Sequence, residues 1–191
     1  WRRKRLRPAY VSVADAVARR ASFTFANRAP RVQGEVRLGD SRSLAQMHLP
    51  RRRFSWIITS PPYLGLRTYK PDQWLRNWFL GGPAQVDYDQ ARHITSTDQG
   101  RFTSALARVW RAAAQRSKPR ARLVIRFGAL PCLPADPREL LLESLVEADV
   151  GWRVKTVRSA GISSNGKRQA VQFGNEAEGL EEIDLYARLE A

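Results

Sequence analysis

Hydrophobic and polar positions follow two different periods along this chain, and the two periods predict its helices and strands. Apolar residues three or four positions apart predict helices over 10–25, 72–80, 101–117 and 136–149, with a shorter helix or turn over 44–49. Asp136, Pro137 and Glu139 stand where an N-cap, a first-turn proline and a third-position acid begin the last of these helices.

Short apolar or alternating runs predict strands over 34–38, 54–59, 122–127, 152–158 and 182–189. The run over 54–59 is the strongest of these candidates. Its nearly continuous apolar and β-branched residues are typical of a parallel strand buried on both faces. A connection rich in Gly, Ser and Asn is expected over 161–174.

The order of these elements predicts an α/β fold with a largely parallel sheet, because strands alternate with helices. The final two strands have no helix between them, so they should pair antiparallel at one edge. Open sheets of this class bind ligands beyond the carboxyl ends of their strands. Two short segments fall at such ends: Gly39-Asp40, and the run from Thr59 to Tyr63.

Composition narrows the class of protein. The chain has 191 residues, of which 43% are hydrophobic, as expected for a folded domain. Residues 1–9 are expected to be a basic tail or linker, and 10–191 one domain. No apolar stretch approaches the roughly 18 residues that span a bilayer, so no membrane segment is predicted. Cys132 is the only cysteine, which excludes an internal disulfide and suits a reducing cytoplasm. Because His48, His93 and Cys132 have no companions at metal-ligand spacing, no metal site is predicted.

Positive charge is concentrated at the start of the chain. The whole chain has 33 basic and 18 acidic residues, a net charge of +15. Residues 1–53 contain 14 of the basic and 3 of the acidic residues, a net charge of +11. Such a charge favours a nucleic-acid partner, with Arg51, Arg52 and Arg53 as candidate phosphate contacts. The alternative is a solvated tail and solvated faces. Because the chain starts at Trp1 and not at Met, we expect it to be part of a longer protein.

The segment Thr59-Ser60-Pro61-Pro62-Tyr63 resembles the catalytic motif of DNA methyltransferases that modify exocyclic amines, and its Ser form is typical of the N4-cytosine enzymes. About twenty residues upstream, the run Gly39 to Arg42 is similar to a further motif of that family. The run 64–75 is similar to the loop that follows the catalytic motif in bacterial DNA modification methylases. The resemblance implies a Rossmann-like methyltransferase fold, mostly parallel with an antiparallel edge strand and without its first strands, over residues 10–191.

The resemblance also implies a chemistry for the catalytic residues Ser60, Pro61, Pro62 and Tyr63. An exocyclic amine is a poor nucleophile because its lone pair is delocalised into the ring. Ser60 Oγ and the Pro61 carbonyl would accept its protons, while the two prolines fix the direction of the turn. Tyr63 would stack on a base extruded from the duplex. The alternative is an ordinary loop with a proline turn.

Cofactor and DNA contacts follow from the same resemblance. Gly39, Asp40, Ser41 and Thr59 would line the site for S-adenosylmethionine, with the Asp40 carboxylate near the adenine amino group. The alternative for Asp40 is a turn residue or a helix cap. Further DNA contacts are expected from residues near the catalytic loop and before the last strand: Arg67, Lys167 and Arg168.

One signature of the family is not found in the sequence. No glycine lies in the Phe-x-Gly-x-Gly-like turn that receives the methionine part of the cofactor. An upstream segment or a second chain is therefore expected to supply it. The expected activity is cytosine-N4 methylation of DNA in a bacterial or archaeal cytoplasm, within restriction-modification. The alternatives are an adenine-N6 DNA or RNA base-amine methyltransferase, and an inactive nucleic-acid-binding module.

Overall fold

The computed structural model describes residues 10–26, 33–47, 53–66, 69–86, 94, 96–130, 133, 135–162 and 181–190. The predicted tail 1–9 and the connection from 163 onward lie outside these residues. The chain divides into two compact units, Trp1–Leu38 and Gly39–Ala191. Each unit is described below by itself.

The described part of the first unit contains one helix, α1, over Val13–Phe25. The helix begins three residues later than predicted because the Ser12 side chain accepts a hydrogen bond from the Asp15 backbone N–H at 3.2 Å and caps it. The strand predicted over 34–38 is wrong, since these residues pair with no other described strand and Val36 and Leu38 are fully exposed. Alternation alone does not make a strand without a partner ladder.

The second unit begins with a 3₁₀ helix over Ser41–Gln46, three residues earlier than the short helix or turn predicted over 44–49. Its other elements, in chain order, are β1 Phe54–Thr59, α2 Tyr69–Phe79, α3 Gln99–Gln115, β2 Ser117–Gly128, α4 Pro137–Ala148, β3 Trp152–Ile162 and β4 Glu181–Leu189. Together they form a mixed α/β unit with the predicted order of strands and helices.

The four described strands form one sheet in the order β1-β2-β4-β3. Strands β1 and β2 are parallel, and β4 is antiparallel to both β2 and β3. The predicted antiparallel pairing of the last two strands is confirmed. The described sheet is only partly parallel and not largely parallel as predicted, since one of its three pairings is parallel. The predicted place of the antiparallel strand is also wrong. Because α4 returns the chain to the same direction in β3, β4 can run back between β2 and β3 and pair with both. The antiparallel strand is therefore internal, and β3 is at the edge.

Helices α3 and α4 cover one face of the sheet, and the hydrophobic core lies between these helices and the sheet. Alternate residues of β2 are buried there, including Leu123, Ile125 and Phe127. The apolar spacing that predicted α3 gives the helix its buried face: Phe102, Leu106, Trp110 and Ala113 are buried, and Val109 is partly buried. The indole N–H of Trp110 donates to Ser144 Oγ at 2.9 Å, which satisfies a polar group inside the core.

Strand β1 has the predicted bounds but not the predicted burial. It lies at the edge of the described sheet, and Trp56 and Ile58 are 49% and 75% exposed. Only Ile57 of this strand packs against the core. An apolar, β-branched run specifies a strand, but the burial of its faces depends on what the rest of the chain packs against it.

Helix and strand ends differ from prediction by a few residues. Asp136 caps α4 as predicted, accepting a hydrogen bond from the Arg138 N–H at 2.7 Å. Strand β2 is longer than predicted, since it begins at Ser117 and contains Pro119. Strand β3 extends through Gly161 into the predicted connection. Among the described helices, none is long and apolar enough to span a membrane.

Candidate functional site

The carboxyl end of β1 carries the segment that was predicted to be catalytic. Thr59 is the last residue of β1 and lies opposite Ile125 of β2. Strand β2 continues for three more residues, to Gly128. The loop that begins at Ser60 therefore leaves β1 where the neighbouring strand still extends beside it.

Tyr63 joins this loop to the two central strands of the sheet. Its hydroxyl donates a hydrogen bond to Glu182 Oε1 at 2.9 Å. Its ring packs edge-to-face on Phe127, with centroids 5.6 Å apart and planes at 86°. A Cβ on Gly128 would lie 3.1 Å from Tyr63 Cζ, so glycine leaves room for the ring.

The environment of Tyr63 keeps its phenol protonated. Burial raises the pKa of Tyr63 above its ordinary value, and the hydrogen bond to the Glu182 carboxylate raises it further. Arg126 nearby has a smaller effect in the opposite direction. At neutral pH Tyr63 is therefore a neutral donor that anchors the loop.

The residues after Tyr63 form a turn that also attaches the loop to the body of the unit. Leu64 is buried in the core, and the Leu66 N–H donates to the Tyr63 carbonyl at 3.0 Å. Gly65 has a φ of +73° and donates its N–H to the Ser96 carbonyl at 2.8 Å. A Cβ on Gly65 would overlap Leu133. Both the backbone conformation and the space around it therefore require glycine.

Ser60 is exposed, whereas Pro61 is buried and Pro62 is partly buried. The hydroxyl of Ser60 is therefore presented at the surface by a backbone that is fixed immediately after it. The internal partners of Tyr63 leave only the exposed part of its ring for a base. The catalytic roles of Ser60, Pro61, Pro62 and Tyr63 stay predictions.

Asp40 has the capping role that the sequence left open as an alternative. It caps the 3₁₀ helix Ser41–Gln46 and accepts a hydrogen bond from the Arg42 N–H at 2.9 Å. The Arg42 guanidinium also pairs with both carboxylate oxygens, at 2.9 and 2.7 Å. This hydrogen bonding lowers the pKa of Asp40 and keeps it ionised.

The neighbours of Asp40 complete the second predicted segment. Gly39 has the Met47 side chain against it, since an added Cβ would lie 2.6 Å from Met47 Sδ. Ser41 is exposed. The 3₁₀ helix itself packs against α3. The cofactor contacts predicted for Gly39, Asp40, Ser41 and Thr59 stay predictions.

The predicted nucleic-acid contacts fall mostly outside the described residues. Arg53 is exposed, one residue before β1. The others lie outside the described part: Arg51, Arg52, Arg67, Lys167 and Arg168. So do His48, His93 and Cys132. Within the described part, no three His, Cys, Asp or Glu side chains are grouped as metal ligands.

Sequence reasoning missed Glu182, Phe127 and Gly128. The contact of Glu182 with Tyr63 joins residues 119 positions apart, and it depends on β4 lying beside β2. Gly128 did carry a signal, because a glycine that follows an apolar strand often marks a close approach of another group. Here the approaching group is the Tyr63 ring.

A cavity of about 430 Å³ lies between the start of α4 and the end of β3. Arg138, Arg158, Ser159 and Ile183 are among the residues that line it. Among the described residues of the predicted site, none lines it. The cavity is therefore separate from the Ser60 loop.

The chain is similar to few known proteins in sequence or in structure. No protein-family model matches the chain, and no curated protein matches it. Three crystal structures of a provisionally named DNA modification methylase from Thermus thermophilus are similar to it. The selenomethionine derivative has a TM-score of 0.44 at 19% identity. The second crystal structure has 0.43 at 18%, and the complex with S-adenosyl-L-methionine 0.44 at 20%. Each match covers 81% of this chain, which spans about half, 53–54%, of the methylase.

Proposed function

We propose that this chain is the catalytic part of a DNA methyltransferase that transfers a methyl group to cytosine N4, with a Rossmann-like fold. The observation that carries the proposal is the exposed Ser60 hydroxyl at the carboxyl end of a parallel strand. The loop that follows Ser60 is fixed by the hydrogen bond from Tyr63 to Glu182 and by the hydrogen bond from the Gly65 N–H to the Ser96 carbonyl. Ligands of α/β sheets bind at this end.

In the proposed reaction, Ser60 Oγ and the Pro61 carbonyl accept hydrogen bonds from the two protons of the cytosine amino group. These acceptors favour the pyramidal amine, whose lone pair would attack the methyl carbon. The N–C bond would form as the donor's C–S bond breaks, and one amine proton would leave to solvent. Neither Pro61 nor Pro62 has an N–H, and their φ angles are restricted. The acceptors are therefore oriented before the substrate arrives, which is the arrangement that lowers a barrier most effectively.

Tyr63 has two functions in this proposal. Its contacts with Phe127 and Glu182 hold the loop in place. The exposed part of its ring stacks on the extruded base, because base-modifying enzymes act on a nucleotide outside the stack.

S-adenosylmethionine would supply the methyl group when bound. Among the described residues, the Asp40 carboxylate is charged and can accept a hydrogen bond from an amino or hydroxyl group. Both of its oxygens already pair with Arg42. The carboxylate therefore offers the cofactor one hydrogen bond, which it would share with Arg42. The glycine-rich turn is not found in the sequence. We therefore propose that a further segment or a second chain completes the cofactor site.

The test of this function is Ser60→Ala. Methyl transfer to duplex DNA by the intact enzyme should fall about 100-fold or more, as when one preorganised polar group is removed from other active sites. The unfolding free energy should change by less than about 0.5 kcal/mol, since Ser60 is exposed. Ser104→Ala, at an exposed serine of α3, is the matched control and should keep full transfer. Full activity of Ser60→Ala contradicts the assignment.

The modified base identifies the acceptor. Methylated DNA is digested to nucleosides and analysed by mass spectrometry, and N4-methylcytosine is expected because serine begins the Ser-Pro-Pro-Tyr motif. N6-methyladenine alone would replace cytosine with adenine as the substrate. Modification of RNA and not of DNA would select the RNA alternative.

A second candidate is a nucleic-acid-binding module without activity. The observation that favours it is the pairing of both Asp40 carboxylate oxygens with Arg42. A cofactor would have to compete with Arg42 for this carboxylate. DNA binding without transfer, at saturating S-adenosylmethionine and with every partner segment present, would select this candidate.

A further inference from the structure

The sheet face opposite α3 and α4 carries arginines in register across three strands. Arg122 on β2 lies opposite Arg188 on β4, and Arg188 lies opposite Arg153 on β3. Trp56 of β1 extends this row, since it pairs with Arg122 and has the Arg122 guanidinium 4.6 Å from its ring centroid. We refer to this face as the open face.

A second row crosses the open face four residues further along β2. Arg126 lies opposite Asp184, and Asp184 lies opposite Arg158. At about 3.3 Å per residue, the two rows are roughly 13 Å apart. The residues between the rows are mainly apolar or aromatic: Ile58, Val124, Tyr186 and Thr156.

Carboxylates neutralise only part of this charge. Arg126 pairs with Asp184 at 2.7 Å, and Arg153 and Lys155 share Glu190 at 3.2 and 3.1 Å. The carboxylate of Glu182 lies at the end of the face, where it receives the Tyr63 hydroxyl. The face therefore has five arginines and one lysine against three acids.

Three of the arginines have no carboxylate within 4.0 Å in the part of the chain that the structure describes: Arg122, Arg158 and Arg188. Within that same part, Arg188 Nε is buried without a hydrogen-bond partner. Like charges directly opposite each other destabilise a sheet. An anionic ligand on the face would offset this repulsion.

The pattern of the face favours one kind of anion. The face combines unpaired arginines with apolar and aromatic side chains, and a nucleic-acid strand offers a matching pair of contacts, since its phosphates bind cations and its bases stack on rings. Trp56 is 49% exposed at the start of the first row, and exposed aromatic rings are stacking platforms for unpaired bases. We propose that the open face binds a single strand of DNA, with phosphates on the arginine rows. The choice of DNA over RNA rests on the proposed function.

The test measures binding of a fluorescein-labelled oligodeoxythymidine, about 15 nucleotides long to cover one site, to the full chain by anisotropy across a range of salt concentrations. The triple variant Arg122→Gln/Arg158→Gln/Arg188→Gln should lower the salt slope by about two, at roughly 0.7 per phosphate contact. Trp56→Ala should weaken binding about tenfold through lost stacking and leave the slope unchanged.

The control variant removes the same charge from the helices, as Arg101→Gln/Arg108→Gln/Arg138→Gln. All three positions are exposed on α3 or α4, and the slope should stay within about half a unit of the unmodified chain. If the first triple variant loses its cooperative unfolding transition, Arg122→Gln/Arg158→Gln alone should lower the slope by about 1.4.

Four outcomes overturn the proposal. The first two are an unchanged salt slope in the open-face variants and an equal decrease of the slope in the helix control variant. The third is markedly tighter binding of oligouridine than of oligodeoxythymidine. The fourth is a dimer, seen by sedimentation, that the open-face variants dissociate while their binding of oligodeoxythymidine stays unchanged. Ser60→Ala should keep oligodeoxythymidine binding. Failure of the proposed methyl transfer is therefore distinguishable from failure of this surface.

Discussion

The segments 60–66 and 39–47 contain most of the residues that were predicted to form the site, but the two segments are held in different ways. The first segment is held by residues far away in the sequence: Tyr63 contacts Phe127 and Glu182. In the second segment the hydrogen bonds are local, between Asp40 and Arg42 and between the Met47 N–H and the Leu44 carbonyl. The second segment also packs against α3.

This difference has a functional meaning. A loop that is fixed by long-range contacts keeps its orientation when a substrate arrives, as preorganised acceptors require. An exposed ion pair between neighbours contributes little to stability and is screened by salt. In the proposed function, the Ser60 loop would therefore orient the reacting amine, and the Asp40 carboxylate would exchange Arg42 for the cofactor.

The largest expected effect tests the support under the Ser60 loop. Phe127 is fully buried and packs against both Tyr63 and Phe102. Phe127→Ala should lower the free energy of unfolding by about 3–5 kcal/mol, through lost burial and the cavity that remains. Urea unfolding measures this loss.

Phe79→Ala is the matched control for that experiment. Phe79 is 83% exposed on α2, so the same substitution should cost less than about 0.5 kcal/mol. Similar losses for the two variants would mean that the loop does not depend on Phe127.

A smaller effect is expected for the hydroxyl of Tyr63. Tyr63→Phe removes the hydrogen bond to Glu182 and should cost about 1–2 kcal/mol at about pH 8. Because the pKa of Tyr63 is raised in the folded protein, this contribution is fully present below the unfolded value of about 10. It should decrease as the pH rises above that value, toward the folded pKa.

Unfolding of both proteins at about pH 8 and about pH 11, on either side of the unfolded pKa, measures this dependence. Tyr186→Phe is the control for removing a phenolic hydroxyl, since Tyr186 is partly buried on β4, and it should cost less than Tyr63→Phe at the lower pH. Equal stability of Tyr63→Phe and the unmodified chain at the lower pH would contradict the anchoring role of the hydroxyl.

Local signals predicted much of the fold. Asp136 and Pro137 set the start of α4, because capping depends on a few adjacent residues. The apolar face of α3 and the bounds of β1 also follow from short-range patterns. The position of the Ser60 loop at the end of β1 was predictable for the same reason.

What the sequence did not predict depends on distant partners. The segment 34–38 alternates but does not pair with any described strand. The internal place of β4 depends on the path of the chain through α4, and the Tyr63–Glu182 contact follows from that place. The arginine rows of the open face likewise exist only in the register of three strands. No short-range period carries this information.

The smallest expected effect concerns Asp40, and it tests the other side of the comparison. Asp40 is 41% exposed beside Arg42, so Asp40→Ala should cost only about 0.5–1 kcal/mol at neutral pH and low salt. Asp40→Asn keeps a capping oxygen and removes the charge, so the difference between the two variants separates the cap from the ion pair.

The pKa of Asp40 is lowered, so the contribution of Asp40 to stability should be present above the unfolded value of about 3.9 and lost as the pH falls through the folded value. Salt at about 1 M should remove most of the ion-pair part. Urea unfolding of the three proteins at about pH 7 and about pH 3, with and without salt, measures these changes. A loss above about 2 kcal/mol that persists in salt would exceed what an exposed cap and ion pair contribute. Asp40 would then be held as firmly as Tyr63, and the contrast between the two segments would be wrong.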